Sequence, residues 1–282
     1  MRPLVLTALL LQTIGSFERP ANAQSTEVTR KPVQIEVAGN MTDALLAPNE
    51  NHVIFVQRDG RDLEIMMANP DGTEPRKLTD NTELDYEPDW APDSGRIVFC
   101  SARSGIHQLY SMDIDGGDVR RLTDHEFGCR LPRYNSRGDL AWLRMSESER
   151  GKAQPATLVV QMGETQKDLV ESDLFSDHAW NPGGEWLAAG SVGRLHFVDP
   201  ESDEQIALNL HEQDNRLHAH APYDIQWSPV GDAVACRIRF VGGRMGDGTI
   251  FGDNEVFLIS LVREFDYFDN IEDAREEHDW IH

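Results

Sequence analysis

The sequence has 282 residues and a formal net charge of −23 at pH 7, with 49 acidic against 26 basic residues. A chain of this length fits a single all-β domain, and its strong negative charge repels nucleic acid phosphates and anionic lipid headgroups. We therefore expect neither nucleic acid nor a membrane surface among its partners.

The N-terminus, MRPLVLTALLLQTIGSFERPANAQ, has the pattern of a secretory signal peptide. Arg2 supplies the positive end, the apolar stretch over residues 4–15 is too short to span a bilayer, and residues 21–23 form a small-residue cleavage site. No later segment is apolar enough to insert into a membrane. The pattern predicts removal of residues 1–23 and a periplasmic or secreted protein that begins near Gln24.

Residues 24–40 form an N-terminal segment, in which PVQIEVAG (32–39) is predicted as a lone strand. A repeat follows it. The segment NPDGTEPRKLTDN (69–81) is repeated 44 residues later as DIDGGDVRRLTDH (113–125), with Asp-Gly, Arg and Leu-Thr-Asp at the same positions.

Each unit of the repeat has the same order of features. An aromatic or apolar anchor is followed by a Pro-containing turn, two short β-rich runs, an Asp-Gly turn and then Arg-x-Leu-Thr. In the second unit the two runs are RIVFCS and QLYSMD, which have the composition and length of strands, and the Pro, Asp and Gly clusters between them favour turns.

Five anchors mark five units over residues 41–266, and residues 267–282 remain as an acidic tail. The anchors are Leu46, Trp90, Tyr134, Trp180 and Trp227. The third unit departs furthest from the pattern, because Asn135-Ser136 replaces the usual x-Pro and a polar insertion, SESERGKAQPA, follows. The fifth is lengthened by GGRMGDGTIFGDNE, which we interpret as a loop.

A period in the mid-forties with four short strands per unit is typical of a β-propeller. We therefore predict an all-β fold of four-stranded blades, five in number, in which each blade buries its apolar face against the next. The strand at 32–39 would close the ring. A sixth blade assembled from both termini stays open as an alternative.

Residues 81–124 resemble the WD-like repeat of TolB-type propellers, approximately E-P-x-W-S-P-D-G-x-x-I-A-F-x-S-x-R-x-G. The match is strong across 86–124, good for 47–80, and partial at 178–200 and 223–260. The resemblance implies the propeller fold and a periplasmic protein. TolB itself carries an α/β domain before its propeller, which has no counterpart here, so TolB's membrane-linked partners are not carried over.

The first strand of each blade lines the tunnel of a propeller, and this suggests a site. The residues three positions before each anchor are Asp43, Glu87, Leu131, Asp177 and Asp224, and His178 comes next in the fourth unit. Four carboxylates in five equivalent places predict an acidic ring at one tunnel mouth, suited to a cation or a basic partner segment. The alternative is that each carboxylate only stabilises the turn that enters its strand.

A second candidate is the stretch RLHAHAPYDIQW. In an extended strand, His218 and His220 project to the same face and can share a metal if a third ligand is present, with His178 and Gln226 the nearest candidates. A similar His-x-His precedes a propeller anchor in oligogalacturonate lyases, which are similar to TolB propellers. That resemblance implies a divalent metal that promotes β-elimination on an acidic sugar. The alternative is a pair of loop histidines without a metal.

The remaining motifs are better explained by structural roles than by metal binding or catalysis. The Asp-rich stretches 113–118 and 246–255 offer oxygen ligands for calcium, but Asp-Gly is also what a hairpin turn requires. The sequence contains no Gly-x-Ser-x-Gly, no His-Glu-x-x-His and no phosphate-binding loop. Three cysteines, Cys100, Cys129 and Cys236, lack zinc-ligand spacing, and the first and last occupy equivalent places in different blades, too far apart for a disulfide.

Together these patterns predict an exported, monomeric propeller without a catalytic set. Its tunnel mouth would bind a periplasmic or envelope protein segment, or a small polar ligand, and no cofactor is required. The alternative is a metal-dependent, carbohydrate-active protein that uses a divalent transition metal at the two histidines. Structural calcium is compatible with the first hypothesis.

Overall fold

A computed structural model describes residues 41–149, 153–210, 221–244 and 250–260. Across these ranges the chain forms nineteen β-strands in five antiparallel sheets. Within the same ranges, no helix is long and apolar enough to cross a bilayer. The strand expected at 32–39, the signal peptide and the acidic tail at 267–282 lie outside the described residues.

The five sheets follow each other along the chain, and we name them blades 1 to 5. Blade 1 contains β1 (Met41–Leu46), β2 (Val53–Asp59), β3 (Asp62–Ala68) and β4 (Arg76–Lys77). Blade 2 contains β5 (Asp85–Trp90), β6 (Arg96–Ser101), β7 (Gln108–Asp113) and β8 (Arg120–Arg121). Blade 3 contains β9 (Cys129–Tyr134), β10 (Leu140–Met145), β11 (Ala156–Met162) and β12 (Thr165–Ser172). Blade 4 contains β13 (Phe175–Trp180), β14 (Leu187–Ser191), β15 (Arg194–Val198) and β16 (Gln205–Asn209). Blade 5 contains β17 (Tyr223–Trp227), β18 (Ala233–Arg244) and β19 (Ile250–Ser260).

Every blade is an antiparallel meander in which each strand pairs with the next one in sequence. The first strands also lie beside one another in the order β1, β5, β9, β13, β17, so they line the centre of the propeller. Four blades have four strands, and the fifth has three within the described residues. The prediction of a propeller with four-stranded blades is confirmed.

The core lies between neighbouring blades. Between blades 1 and 2, for example, Ile65 and Met67 pack with Trp90, Phe99 and Met112, all at most 5% exposed. The second and third strands of a blade are covered on both faces, which explains why RIVFCS is a continuous apolar run and not an alternating one. The repeat therefore stabilises the fold because each blade buries its apolar faces against its neighbours.

The recurrent Trp has a polar role besides packing. The indole Nε1–H of Trp90 donates to the Leu45 carbonyl at 3.1 Å, and that of Trp180 donates to the Arg133 carbonyl at 3.0 Å. Trp227 repeats this bond to blade 4. Each indole thus bonds the carbonyl one residue before the previous anchor, so each Trp anchor ties its blade to the one before it.

The Arg-x-Leu-Thr signature completes the short fourth strand. The Thr79 hydroxyl accepts the Ile65 N–H at 2.9 Å, and the Thr123 hydroxyl accepts the Leu109 N–H at the same distance. In both units the preceding leucine continues the ladder through its own N–H. The threonine therefore extends the pairing of a strand that is only two residues long.

The Asp-Gly turn forms a contact with the preceding blade. Gly116 has a φ of 85°, and a Cβ there would lie 2.6 Å from the Leu78 carbonyl oxygen of blade 1. The guanidinium of Arg76 donates to the Ile114 carbonyl at 2.7 Å. We call such a contact, between the fourth strand of one blade and the third-to-fourth turn of the next, an outer contact.

One expectation about blade 5 was wrong. The Gly- and Asp-rich stretch predicted as a loop belongs largely to β18 and β19, which pair from Ala233↔Ser260 to Arg244↔Ile250. Pairing with a long partner strand satisfies the backbone hydrogen bonds of residues that have low strand propensity, so context overrides composition here.

Candidate functional site at the inner strands

The predicted ring positions lie at a β-bulge in the first strands of blades 1, 2, 3 and 5, and directly after one in blade 4. Pairing between the first and second strands shifts register around these positions in all five blades. Four of the five residues have a left-handed backbone, with φ of 54° at Asp43, 53° at Glu87, 52° at Leu131 and 53° at Asp224. A bulge re-aims side chains and frees backbone groups, and non-glycine residues hold this conformation only where the surroundings stabilise it.

Glu87 connects blade 2 to blade 3. It is 9% exposed, and its carboxylate accepts the Leu131 N–H at 2.8 Å and a guanidinium N–H of Arg130 at 2.6 Å. The accepted backbone N–H belongs to the equivalent bulge of the next blade. Glu87 therefore satisfies the backbone donor that the bulge leaves unpaired.

Asp177 makes the corresponding contact between blades 4 and 5. Its carboxylate accepts the Ile225 N–H at 3.0 Å and the His178 N–H at 2.9 Å. Burial raises the pKa of Asp177, whereas the hydrogen bond from Ile225 and the Arg133 guanidinium oppose that rise. At these two positions the carboxylates hold one blade to the next, which goes beyond the turn role considered from the sequence.

Asp43 and Asp224 are more accessible. Asp43 is exposed, and its carboxylate accepts a 3.3 Å hydrogen bond from the Thr42 hydroxyl. Desolvation by the surrounding protein nevertheless raises the pKa of Asp43, and Arg133 acts against that effect. Asp224 is half-buried and pairs with the Arg237 Nε at 3.1 Å. These two carboxylates are the ring members that a ligand can reach.

Arg133 is a residue of the site that the sequence reasoning missed. Its guanidinium lowers the pKa of Asp43, Asp89 and Asp177, which belong to three other blades, against the larger effect of burial. Within the described part of the chain, no carboxylate lies within ion-pair distance of Arg133. One guanidinium thus stands within electrostatic range of carboxylates from blades 1, 2 and 4.

A signal for Arg133 was present in the repeat. Asp89 and Arg133 both stand one residue before an anchor, a position filled by Leu45, Ala179 and Gln226 in the other units. Asp89 also joins blades, because its carboxylate accepts the Tyr134 N–H at 2.7 Å. Charged residues at an equivalent position of two inner strands indicate side chains that line the tunnel.

His178 is buried, 1% exposed, and neither ring nitrogen has a hydrogen-bond partner among the described residues. Burial lowers the pKa of His178 to about 3, and the nearby Arg133 guanidinium adds to that effect. The equivalent residues in the other blades are Ala44, Pro88, Pro132 and Ile225. His178 therefore occupies an apolar position between blades and is neutral at physiological pH.

The predicted metal ligands His218 and His220 lie outside the described residues. Of their suggested partners, His178 is enclosed by protein, and the Gln226 amide donates to the Asp224 carboxylate at 3.0 Å. Over the described ranges, no group of three or more His, Cys, Asp or Glu side chains is arranged to hold a metal ion.

Comparison with known proteins agrees with the architecture. The uncharacterized peptidase YuxL of Bacillus subtilis is 29% identical over 142 residues, which cover 50% of this chain and 20% of that protein. An uncharacterized protein of Agrobacterium fabrum is 27% identical over 188 residues, covering 62% of this chain and 61% of its own. The chain therefore spans less than two thirds of either relative.

Among solved structures, TolB from Acinetobacter baumannii superposes with a TM-score of 0.55 at 17% identity, covering 83% of this chain and 59% of TolB. At that identity the likeness concerns the fold. The family model described as the TolB beta propeller domain matches residues 24–234, which is most of the sequence. The repeat, the blades and this match agree, and the chain belongs to the TolB beta-propeller domain family.

Proposed function

We propose that this propeller is a non-enzymatic binding module that holds a basic segment of an envelope protein at the mouth of its tunnel. The observation that carries the proposal is the bulge in each of the five inner strands, where carboxylates and guanidiniums of different blades lie close to one another. Glu87 and Asp177 are committed to contacts between blades, whereas Asp43 is exposed and Asp224 half-buried, so these two carboxylates would contact the ligand.

Charge supports a basic partner. The described inner ring has five carboxylates, on Asp43, Glu87, Asp89, Asp177 and Asp224, against the guanidiniums of Arg130, Arg133 and Arg237. The whole chain is also strongly acidic, which steers cationic segments toward it and weakens with added salt. Arg133 would orient such a segment by donating hydrogen bonds to one of its carboxylate or carbonyl groups.

A site-specific photocrosslinker tests this function. A benzophenone amino acid at position 43 should capture one partner in cells, whereas the same group at position 230, on an exposed turn of blade 5, should not. Capture should fall when Asp224 is changed to Lys in the same molecule. Equal crosslinking at positions 43 and 230, or no effect of the Lys change, would reject the tunnel mouth as the site.

The alternative is a carbohydrate-active protein with a divalent metal at His218 and His220. A single observation separates the two hypotheses: elemental mass spectrometry of the purified protein beside the His218→Ala/His220→Ala double variant. A stoichiometric transition metal that disappears in the variant would favour the metal-dependent hypothesis. Absence of metal, or calcium that is unchanged in the variant, would remove it.

A further inference from the structure

A second set of accessible positions lies one residue before the anchors, and we call it the inner layer. Its members are Leu45, Asp89, Arg133, Ala179 and Gln226, of which the first four are half-buried and the last is exposed. In blades 2 to 5 the residues directly before them are buried, namely Pro88, Pro132, His178 and Ile225. Side chains of a strand point alternately to opposite sides, so the inner layer faces the tunnel while the buried set packs between blades.

Arg133 is the cation of the inner layer, and it has no charged partner among the described residues. Its guanidinium donates to the Pro132 carbonyl at 3.0 Å. Asp89, the acidic member of the layer, is engaged elsewhere, because its carboxylate accepts the Tyr134 N–H at 2.7 Å. A guanidinium carries several N–H donors in a planar fork, so Arg133 keeps donors that match a carboxylate.

The two other guanidiniums beside the ring positions are paired. Arg130 binds Glu87 at 2.6 Å, and Arg237 binds Asp224 at 3.1 Å. An anionic ligand would compete with an existing ion pair at either of these residues. At Arg133 it meets a positive charge with no ion pair to break, so Arg133 is the stronger candidate for binding an anion.

The surroundings of Arg133 determine which kind of anion can bind there. Arg133 stands within electrostatic range of Asp43, Asp89 and Asp177, and its guanidinium lowers the pKa of each against the larger effect of burial. These carboxylates repel a simple anion such as phosphate or acetate. An anionic group whose molecule also carries a cation is repelled less, because the cation offsets the negative charge of the carboxylates.

The spacing along the inner strands fits the two charges of a single basic residue. The inner layer lies two residues beyond the ring positions Asp43 and Asp224, which is about 7 Å along an extended strand. The long stem of lysine or arginine separates its charge from its own α-carboxylate by a similar length. Leu45 and Ala179 add apolar surface to the layer, which suits the methylene groups of such a stem.

We propose that Arg133 binds the terminal carboxylate of the segment held at the tunnel mouth, which makes the ligand a chain end whose last residue is lysine or arginine. The inference rests on the function proposed above and specifies its partner. The carboxylate accepts a pair of hydrogen bonds from the Arg133 fork, and the basic side chain of the same residue extends back to Asp43 or Asp224. Free lysine and free arginine carry the same two charges, so the test compares both sources.

The probe is a phage library in which random six-residue peptides end the displayed chain with a free carboxylate. Selected peptides are synthesised both as free acids and as C-terminal amides, and are titrated calorimetrically beside free lysine and free arginine. The proteins are wild type, Arg133→Gln, Asp43→Asn and Arg144→Gln. Arg144 is the matched control, because it lies in the same blade and its guanidinium already binds Asp168 at 2.6 Å. Circular dichroism and melting temperatures establish that the variants fold.

We expect the selected peptides to end in lysine or arginine and to lose at least about tenfold in affinity on amidation, in wild type and in Arg144→Gln. Arg133→Gln should weaken the free acid by a similar factor. Amidation should then have no further effect in Arg133→Gln, because both changes remove the same interaction. Free lysine and free arginine should bind more weakly than the peptides.

The outcomes separate this inference from the proposed function. If acids and amides bind equally well while Asp43→Asn weakens both, the tunnel mouth remains the site and the carboxylate contact is refuted. Free lysine or arginine that binds as tightly as the best peptide would overturn the assignment to a chain end. A selection without binders, or binders that neither Asp43→Asn nor Arg133→Gln affects, would reject the tunnel mouth and this inference together.

Discussion

At the scale of single residues, His178 stands out because a polar ring occupies a position that is apolar in the other blades. Its two ring nitrogens lack partners among the described residues, and burial lowers its pKa to about 3. A histidine in the unfolded chain has a pKa of about 6.5, so the unfolded state binds more protons between these values. The stability contributed by neutral His178 is therefore complete above pH 6.5 and is lost as the pH falls toward 3.

The variant His178→Ile, which copies Ile225 of blade 5, should be more stable than wild type. Relief of the unsatisfied ring should raise the free energy of unfolding by about 1 kcal/mol at pH 8. The difference in unfolding free energy between the variant and wild type should be about 2 kcal/mol larger at pH 5. In wild type, protonation of His178 in the unfolded chain favours unfolding at that pH, and the variant lacks this group. Urea denaturation at both pH values measures this. A gap that is the same at pH 5 and pH 8 would show that His178 has no depressed pKa.

The three thiols should be inert in the folded protein. Cys100, Cys129 and Cys236 are at most 1% exposed and form no disulfide, and burial raises the pKa of Cys236 to about 12. A thiolate is required for reaction with an aromatic disulfide reagent, so we expect no reaction without denaturant and three equivalents per chain in denaturant. Fewer than three after unfolding would reveal a disulfide or an oxidised thiol.

At the scale of strands and turns, the hydrogen bond from a Trp anchor to the preceding blade can be measured by one substitution. Trp180→Phe keeps an aromatic ring but removes the N–H that binds the Arg133 carbonyl. We expect a loss of about 2 kcal/mol in the free energy of unfolding, from the missing hydrogen bond and the smaller ring. Tyr134→Phe is the matched control, since the Tyr134 hydroxyl has no hydrogen bond within the described ranges. Equal losses in the two variants would contradict this role of the indole.

The two turns of blades 2 and 3 provide a second matched pair. Gly116 and Gly163 both have positive φ, of 85° and 56°, so alanine costs about 1 kcal/mol of backbone strain at either position. Only at Gly116 would the new Cβ also strike the Leu78 carbonyl oxygen, at 2.6 Å. The melting temperature should therefore fall further in Gly116→Ala than in Gly163→Ala. The reverse order would mean that the interface between blades 1 and 2 is as open as its neighbour.

These elements also mark the limit of what the sequence predicts. The spacing of the repeat is enough to predict the anchors, the ring positions and the strands RIVFCS and QLYSMD. The bulges cannot be read this way, because a left-handed Glu87 depends on the Leu131 N–H and Arg130 of the next blade. The exposure of Leu122 was equally hidden, because it depends on the absence over Leu122 of a turn like that of Gly116, which covers Leu78.

At the scale of the whole molecule, export is the prediction that the signal sequence makes. If residues 1–23 are removed by a signal peptidase, protein recovered from the cell envelope or medium should begin at Gln24. N-terminal sequencing or intact mass measurement tests this, with cytosolic expression of residues 24–282 as the reference. Recovery of the full-length chain from the cytosol would reject both the signal peptide and a periplasmic partner.

The direction of the indole bonds has a consequence for how the molecule is made. Trp90 donates back to blade 1, Trp180 to blade 3 and Trp227 to blade 4, so each of these donors finds its acceptor on a blade that precedes it in the chain. A polypeptide that emerges N-terminus first, from a ribosome or a translocation pore, presents these three acceptors before the indoles that donate to them. Each of these three indole donors therefore meets an acceptor that has already emerged, whereas Arg76, which donates to the Ile114 carbonyl of the following blade, must wait for its acceptor.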